Sequence, residues 1–115
     1  MPLTPQTRGI LCRATFDKLP RGACLVNAAR GGHLVEQDLL QALDDRQISA
    51  AVLDVLAEEP PESDHPFWNH PRILMTPHMA SNTSTQFGGR ALLENVLRHR
   101  RGEPMIGVVH RELGY

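Results

Sequence analysis

Three short apolar runs set what this chain can become. They are Ala23-Cys24-Leu25-Val26-Asn27-Ala28, Ala50-Ala51-Val52-Leu53-Asp54-Val55-Leu56 and Ile73-Leu74-Met75-Thr76. None alternates as a half-exposed strand does, and each is bounded by turn residues, so each is expected to be a strand buried on both faces. Between the first two, Val35, Leu39, Leu40 and Leu43 recur at helical spacing. Glu36 and Asp38 lie in the first turn of that helix, where acidic groups are favourable. Strand, helix, strand implies parallel pairing through a right-handed crossover.

A shorter helix is expected over residues 13–19, stopped by Pro20. A long one is expected over residues 84–101, with Leu92, Leu93, Val96 and Leu97 on one face and Gly88-Gly89 inside it. A loop rich in proline and acid, residues 58–67, leads to the third run. The fold class that follows is α/β, a partial Rossmann-like (doubly wound) parallel sheet of about three strands. Flanking helices and a long C-terminal helix complete it. So few helices cannot cover both faces of such a sheet, and the chain reads as half of a doubly wound domain.

Charge and cysteine content exclude several classes of function. The net charge of −1 and a pI near 6.6 give no reason to expect nucleic acid or an anionic membrane as partner. The cluster Arg98-His99-Arg100-Arg101 falls at a helix end, where cations complement the dipole. Cys12 and Cys24 are too few for a disulfide scaffold; Cys24, inside an apolar run, is expected to be a small core residue. The first residues have neither the charged nor the apolar segment of a signal peptide, and no run approaches a membrane span, so a cytoplasmic location is expected. No metal site is expected: His65 and His70 flank Trp68, but without a tight ligand cluster, and that loop should pack its aromatic residues on the sheet. His33, His99 and His110 carry no readable role.

In open parallel sheets ligands bind beyond the C-terminal ends of the strands. There the first run delivers Arg30, the second Asp54, Glu58 and Glu59, and the third His78. A guanidinium can grip a carboxylate with two parallel hydrogen bonds. An imidazole can give or take a proton near neutral pH, and a carboxylate beside it favours the imidazolium and orients the ring. That set suits reduction of a small anionic carbonyl compound, with the hydride coming from a cofactor. Each residue also has a plainer reading: Arg30 as a surface cation, Glu59 as a solvated acid, His78 as a turn or cap residue. Asp54 is more suggestive, because a carboxylate within an apolar run needs partners.

At these residues the chain resembles the D-isomer-specific 2-hydroxy-acid dehydrogenases. Residues 2–7 are similar to the family's Leu-Thr-Pro-x-Thr segment, and residues 25–32 to its Asn-x-(Ala/Ser)-Arg-Gly motif. Residues 53–60 are similar to Leu-Asp-Val-Phe-x-x-Glu-Pro, and residues 76–80 to Thr-Pro-His-x-Ala. The last three of these motifs, in that order and at such separations, are far more specific than any one of them. The Gly102-Glu103 turn and the ending Arg111-Glu112-Leu113-Gly114-Tyr115 are similar to the family's branch acting on glyoxylate and hydroxypyruvate. Leu56 stands where that family often has Phe.

The resemblance implies a catalytic set of Arg30, Glu59 and His78. Arg30 would bind the substrate carboxylate and carbonyl oxygen. His78 would be the acid in reduction and the base in oxidation, and Glu59 would pair with it. Toward an NADP or NAD cofactor it implies Leu3 and Thr7 lining the cleft, Ala29 against the nicotinamide, Asp54 on the nicotinamide side, and Arg30 and His78 beside both ligands. The partners implied are a small 2-keto or 2-hydroxy acid and, in the intact enzyme, a second copy forming a homodimer. Residues 1–80 would be the later half of the NAD(P)-binding domain. Residues 81–115 would be a helix and tail returning toward a substrate domain. The G-x-G-x-x-G loop that meets the pyrophosphate in this family does not occur in the sequence. The chain is therefore expected to be a fragment with little activity alone. The competing expectation is a non-catalytic interaction module, or pseudoenzyme, that keeps the fold.

Overall fold

The computed structural model describes residues 1–81 and 84–113. They form two compact units, Met1–Ala80 and Ser81–Tyr115.

The first unit is built on a parallel sheet of β1 (Ala23–Asn27), β2 (Ile48–Leu53) and β3 (Ile73–Met75), in the order β1-β2-β3. The crossover from β1 to β2 carries α2 (Glu36–Asp44), preceded by a 3-10 turn at Gly31–His33. The helix α1 (Arg13–Phe16) is one turn long, shorter than the stretch expected over residues 13–19. Past Phe16 the chain continues through turn bonds, Leu19 N–H to Phe16 O and Ala23 N–H to Pro20 O. The second strand begins two residues before the apolar run, because Ile48 is fully buried and pairs with Ala23.

The core lies on one side of the sheet. Phe16, Leu39, Leu43, Ile48, Leu53 and Phe67 are completely buried there, with Leu25 and Leu34 beside them. The expectation of strands buried on both faces fails for β1. Leu25 and Asn27 point inward, whereas Cys24 and Val26 are exposed, as is Leu74 on β3. An apolar run on a sheet with one covered face thus shows the two-residue alternation in burial rather than in residue type. Cys24 consequently lies outside the core, its Sγ 3.3 Å from Ser49 Oγ. The aromatic loop packs as expected only in part: Phe67 is buried, but Trp68 is exposed and its Nε1–H donates to Glu62 O.

Residues 1–11 lie along the turn that follows β1. Gly9 N–H donates to Gly32 O and Leu11 N–H to His33 O, while Val35 N–H donates to Leu11 O. His33 is fully buried, and its Nε2 meets Pro2 O at 3.1 Å.

In the second unit α3 (Thr85–Arg100) runs unbroken through Gly88 and Gly89. Leu92, Leu93 and Val96 are exposed along it. Asn95 clamps the tail, accepting Ile106 N–H at 2.8 Å and donating to Ile106 O at 2.9 Å. Arg98 pairs with Glu94 one turn earlier. Gly114 and Tyr115, the end of the tail motif, lie outside the described residues.

Candidate active site

Strand register brings the chemistry together. Asn27 lies beside Leu53, and Leu53 beside Met75. The next residues, Asp54 and Thr76, are therefore neighbours, and the Thr76 hydroxyl donates to Asp54 Oδ1. Asp54 is buried, and its carboxylate also accepts the amides of Met79 and Ala80, each at 2.9 Å. This meets the requirement that a carboxylate in an apolar run find partners. The Thr76 hydroxyl first, then the amides of Ala80 and Met79, hold the Asp54 carboxyl below its ordinary value of 3.8.

Those contacts wrap residues 76–80 around one carboxylate. His78 N–H donates to Thr76 O at 3.0 Å, which puts Pro77 at the centre of a three-residue turn. His78 itself adopts the left-handed backbone region, with φ of 51°. Histidine tolerates that region better than most residues. The ring is thereby presented to Glu59, whose Oε2 lies 2.7 Å from His78 Nδ1. A carboxylate only accepts, so Nδ1 carries the hydrogen and Nε2 is left for another partner. Glu59 is fixed through its other oxygen, which accepts Leu56 N–H at 2.9 Å. The bond from His78 and then that from Leu56 hold the Glu59 carboxyl below its ordinary value of 4.5.

A cleft of about 510 Å³ opens over this pair. Asp54, Glu59, Thr76 and His78 line it, with Leu56, Met75, Trp68 and three prolines as apolar walls. It stands at the C-terminal ends of β2 and β3, where a parallel sheet collects ligands.

The other expected residues stand on the neighbouring loop or beyond it. Asn27, buried at the end of β1, shapes that loop: its Oδ1 accepts Ala29 N–H and its Nδ2 donates to Arg30 O. Arg30 is exposed, and its guanidinium donates to Ala29 O at 2.7 Å rather than entering the cleft. Ala29 is half-buried beside it. Leu3 packs against Gly32, where an added Cβ would come within 2.9 Å of Leu3 Cδ2. Thr7 closes a local turn, its hydroxyl donating to Pro2 O and accepting Thr4 N–H. Asp54, Glu59 and His78 are thus assembled in one place, whereas Arg30, Ala29, Leu3 and Thr7 are not in the cleft lining.

Gly31 explains why the Arg30 loop lies so near. A Cβ there would fall 1.7 Å from Leu56 O, so only glycine lets the two loops touch backbone to backbone. Two further residues escaped the sequence reading. Glu36 accepts Ala57 N–H at 3.1 Å and meets His65 Nε2 at 3.2 Å. In the sequence Glu36 is simply a helix-start acid; its partners lie far along the chain, and no local pattern signals them. Among the described residues, no group of three or more potential ligands could hold a metal ion. No helix among them is long and apolar enough to cross a membrane.

Comparison with known proteins decides the family. Residues 1–80 match the sequence profile described as "D-isomer specific 2-hydroxyacid dehydrogenase, NAD binding domain". The chain belongs to the D-isomer-specific 2-hydroxyacid dehydrogenase family. A glyoxylate/hydroxypyruvate reductase A of Serratia proteamaculans is 49% identical across all of this chain, which covers 37% of that protein. The chain therefore spans little more than a third of the length of this dehydrogenase. A family member from Xanthobacter autotrophicus, solved with NADPH and MES, superposes with a TM-score of 0.94 at 38% identity. That match covers 100% of this chain and 48% of the other. The NADPH-dependent glyoxylate/hydroxypyruvate reductase of Sinorhizobium meliloti, solved with NADP and sulfate, gives 0.92 at 38% identity, covering 100% and 38%. The partial Rossmann-like sheet expected from the three apolar runs is thus the fold of this dehydrogenase family.

Proposed function

We propose that this chain supplies the acid–base part of an NAD(P)H-dependent reductase acting on small 2-keto acids, with glyoxylate and hydroxypyruvate as substrates. The observation that carries the reading is the 2.7 Å contact between Glu59 and His78 at the wall of the cleft. A nicotinamide cofactor, when bound, supplies the hydride. The chain's own residues manage the proton. Glu59 holds His78 by Nδ1–H; in reduction the imidazolium gives its Nε2 proton to the carbonyl oxygen, leaving the neutral ring, and in oxidation the neutral Nε2 takes the hydroxyl proton back. Asp54 fixes the loop that carries the ring. Arg30 binds the substrate carboxylate once its guanidinium leaves the Ala29 carbonyl, an anchoring role that its planar fork suits.

Asp54, in the cleft, would face the nicotinamide end of a cofactor, as would Ala29 on the neighbouring loop, and Leu3 and Thr7 would line its approach; the cleft has largely apolar walls, as small-molecule sites commonly do. NADPH is the favoured donor, since two of the solved relatives hold NADPH or NADP. Residues 1–80 would then be the later half of the nucleotide-binding domain, and residues 81–115 a helix and tail directed to a substrate domain. The intact enzyme would be a homodimer working in the cytoplasm.

The 115 residues contain no glycine loop for the pyrophosphate, so alone they should not turn over. The test joins this chain to the preceding part of the Serratia relative and follows NADPH consumption. The chimera should reduce glyoxylate and hydroxypyruvate while the chain alone does not. His78→Gln in the chimera should lower kcat about a hundredfold or more. A chimera that folds and binds NADPH, yet reduces neither substrate, would overturn the proposal.

A further inference from the structure

Two successive backbone amides, those of Leu56 and Ala57, are each gripped by a carboxylate. Leu56 N–H donates to Glu59 Oε1 at 2.9 Å, and Ala57 N–H donates to Glu36 Oε1 at 3.1 Å. Glu36 opens α2, a helix that buries Leu39, Ala42 and Leu43 in the core. Its second oxygen lies 3.2 Å from His65 Nε2, and both side chains are largely shielded from solvent. His65 Nδ1 accepts Phe67 N–H at 3.3 Å, which leaves the ring hydrogen on Nε2, facing Glu36. Phe67 is fully buried and meets the His65 ring edge-on at 4.8 Å. One carboxylate thus ties the loop at Ala57 and again at His65 to a helix that cannot move without disturbing the core. Glu36 itself lines no part of the cleft.

We propose that Glu36 is a positioning residue for the pair of Glu59 and His78. By holding the Ala57 amide and the His65 ring, it fixes the peptide whose neighbouring amide orients the Glu59 carboxylate. That orientation keeps Oε2 against His78 Nδ1 and leaves Nε2 for the substrate. The inference rests on the reading of Glu59 and His78 as an acid–base pair, and its test separates the two.

The readout is the tautomer of His78 in the 115-residue chain, from imidazole nitrogen NMR shifts at neutral pH. A merely structural role for Glu36 would not move it. Wild type should show His78 mainly with its hydrogen on Nδ1. Glu59→Gln should abolish that preference. Glu36→Gln keeps the size and an acceptor for Ala57 N–H but loses the charge facing His65. It should shift the ratio toward the Nε2–H form by about threefold or more, as loss of one orienting hydrogen bond would. The circular dichroism spectrum should stay unchanged, and Glu94→Gln, on α3, should leave the ratio as it is. Should Glu36→Gln not fold, His65→Phe removes the same contact while keeping a ring against Phe67, and the same shift is expected. A wild-type ratio in the folded Glu36 or His65 variant, beside an altered one in Glu59→Gln, overturns the role of Glu36 alone. A wild-type ratio in Glu59→Gln overturns the pair and the proposal with it.

Discussion

Replacing Gly31 by alanine should be far more damaging than the size of one methyl group suggests. The new Cβ would lie 1.7 Å from Leu56 O, 1.9 Å from its carbonyl carbon and 2.5 Å from Ala57 N. An ordinary carbon-to-oxygen contact is about 3.3 Å, so the two loops must separate by roughly 1.6 Å. Both sides of the clash are backbone, and no side-chain rotation can relieve it. The cost belongs at the upper end for overpacking, about 3 kcal/mol. In a domain of this size that corresponds to a fall in melting temperature of about 10–20 °C. Thermal unfolding followed by circular dichroism measures it. Gly32→Ala is the control: there the added carbon meets the ends of Leu3 and Arg8, which can swing aside. That variant should lose less than about 1 kcal/mol. A Gly31→Ala protein melting within about 3 °C of wild type would show that the loops are not locked together by the close approach.

Stability should depend on acid in a defined direction. The Glu59 and Asp54 carboxyls are held below 4.5 and 3.8 by the hydrogen bonds they accept. Depressed carboxyls stabilise the fold above their unfolded values, and that contribution is lost as pH falls through the depressed ones. The urea midpoint should therefore be level above about pH 5 and decline below about pH 4, with a shallower decline in Glu59→Gln and Asp54→Asn; an unchanged slope in both variants would refute the assignment. Gly89→Ala places its Cβ in open space within α3 and should stabilise that helix by about 1 kcal/mol. Amide exchange along it should slow about fivefold, and no slowing would mean that the helix is not limited by its glycines. The exposed Val26 and Leu74 on the open sheet face should drive the isolated chain to self-associate. Light scattering would contradict this by finding a monomer at high concentration.

Continuous apolar runs between turn residues located all three strands, because such runs have few alternatives, and helical spacing located the crossover helix. It misjudged burial because Cys24 and Val26 are apolar whether or not something covers them. The start of β2 was missed because Gln47 and Ser49 are polar; Gln47 is nevertheless buried, its amide donating to Phe16 O and Leu19 O. At the site, Asp54, Glu59 and His78 were legible since each follows a strand end or belongs to a short motif. The partnership of Asp54 with Thr76 was not, although strand register makes it inevitable once the sheet forms. The bond between Glu36 and His65 joins residues with no local relation, and only the folded crossover brings them together.

The central strand has a consequence for how the molecule opens. Among the described strands, β2 alone is hydrogen-bonded along both sides, to β1 and to β3. Its amides should be the slowest in the sheet to exchange, while β3, three residues long, should release first. Asp54 stands at the end of the persistent strand, and His78 beyond the transient one. The loop that carries the imidazole can therefore detach and return many times while the carboxylate that receives it keeps its place. The anchor outlasts what it anchors, and each reclosure returns Thr76, Met79 and Ala80 to the same carboxylate.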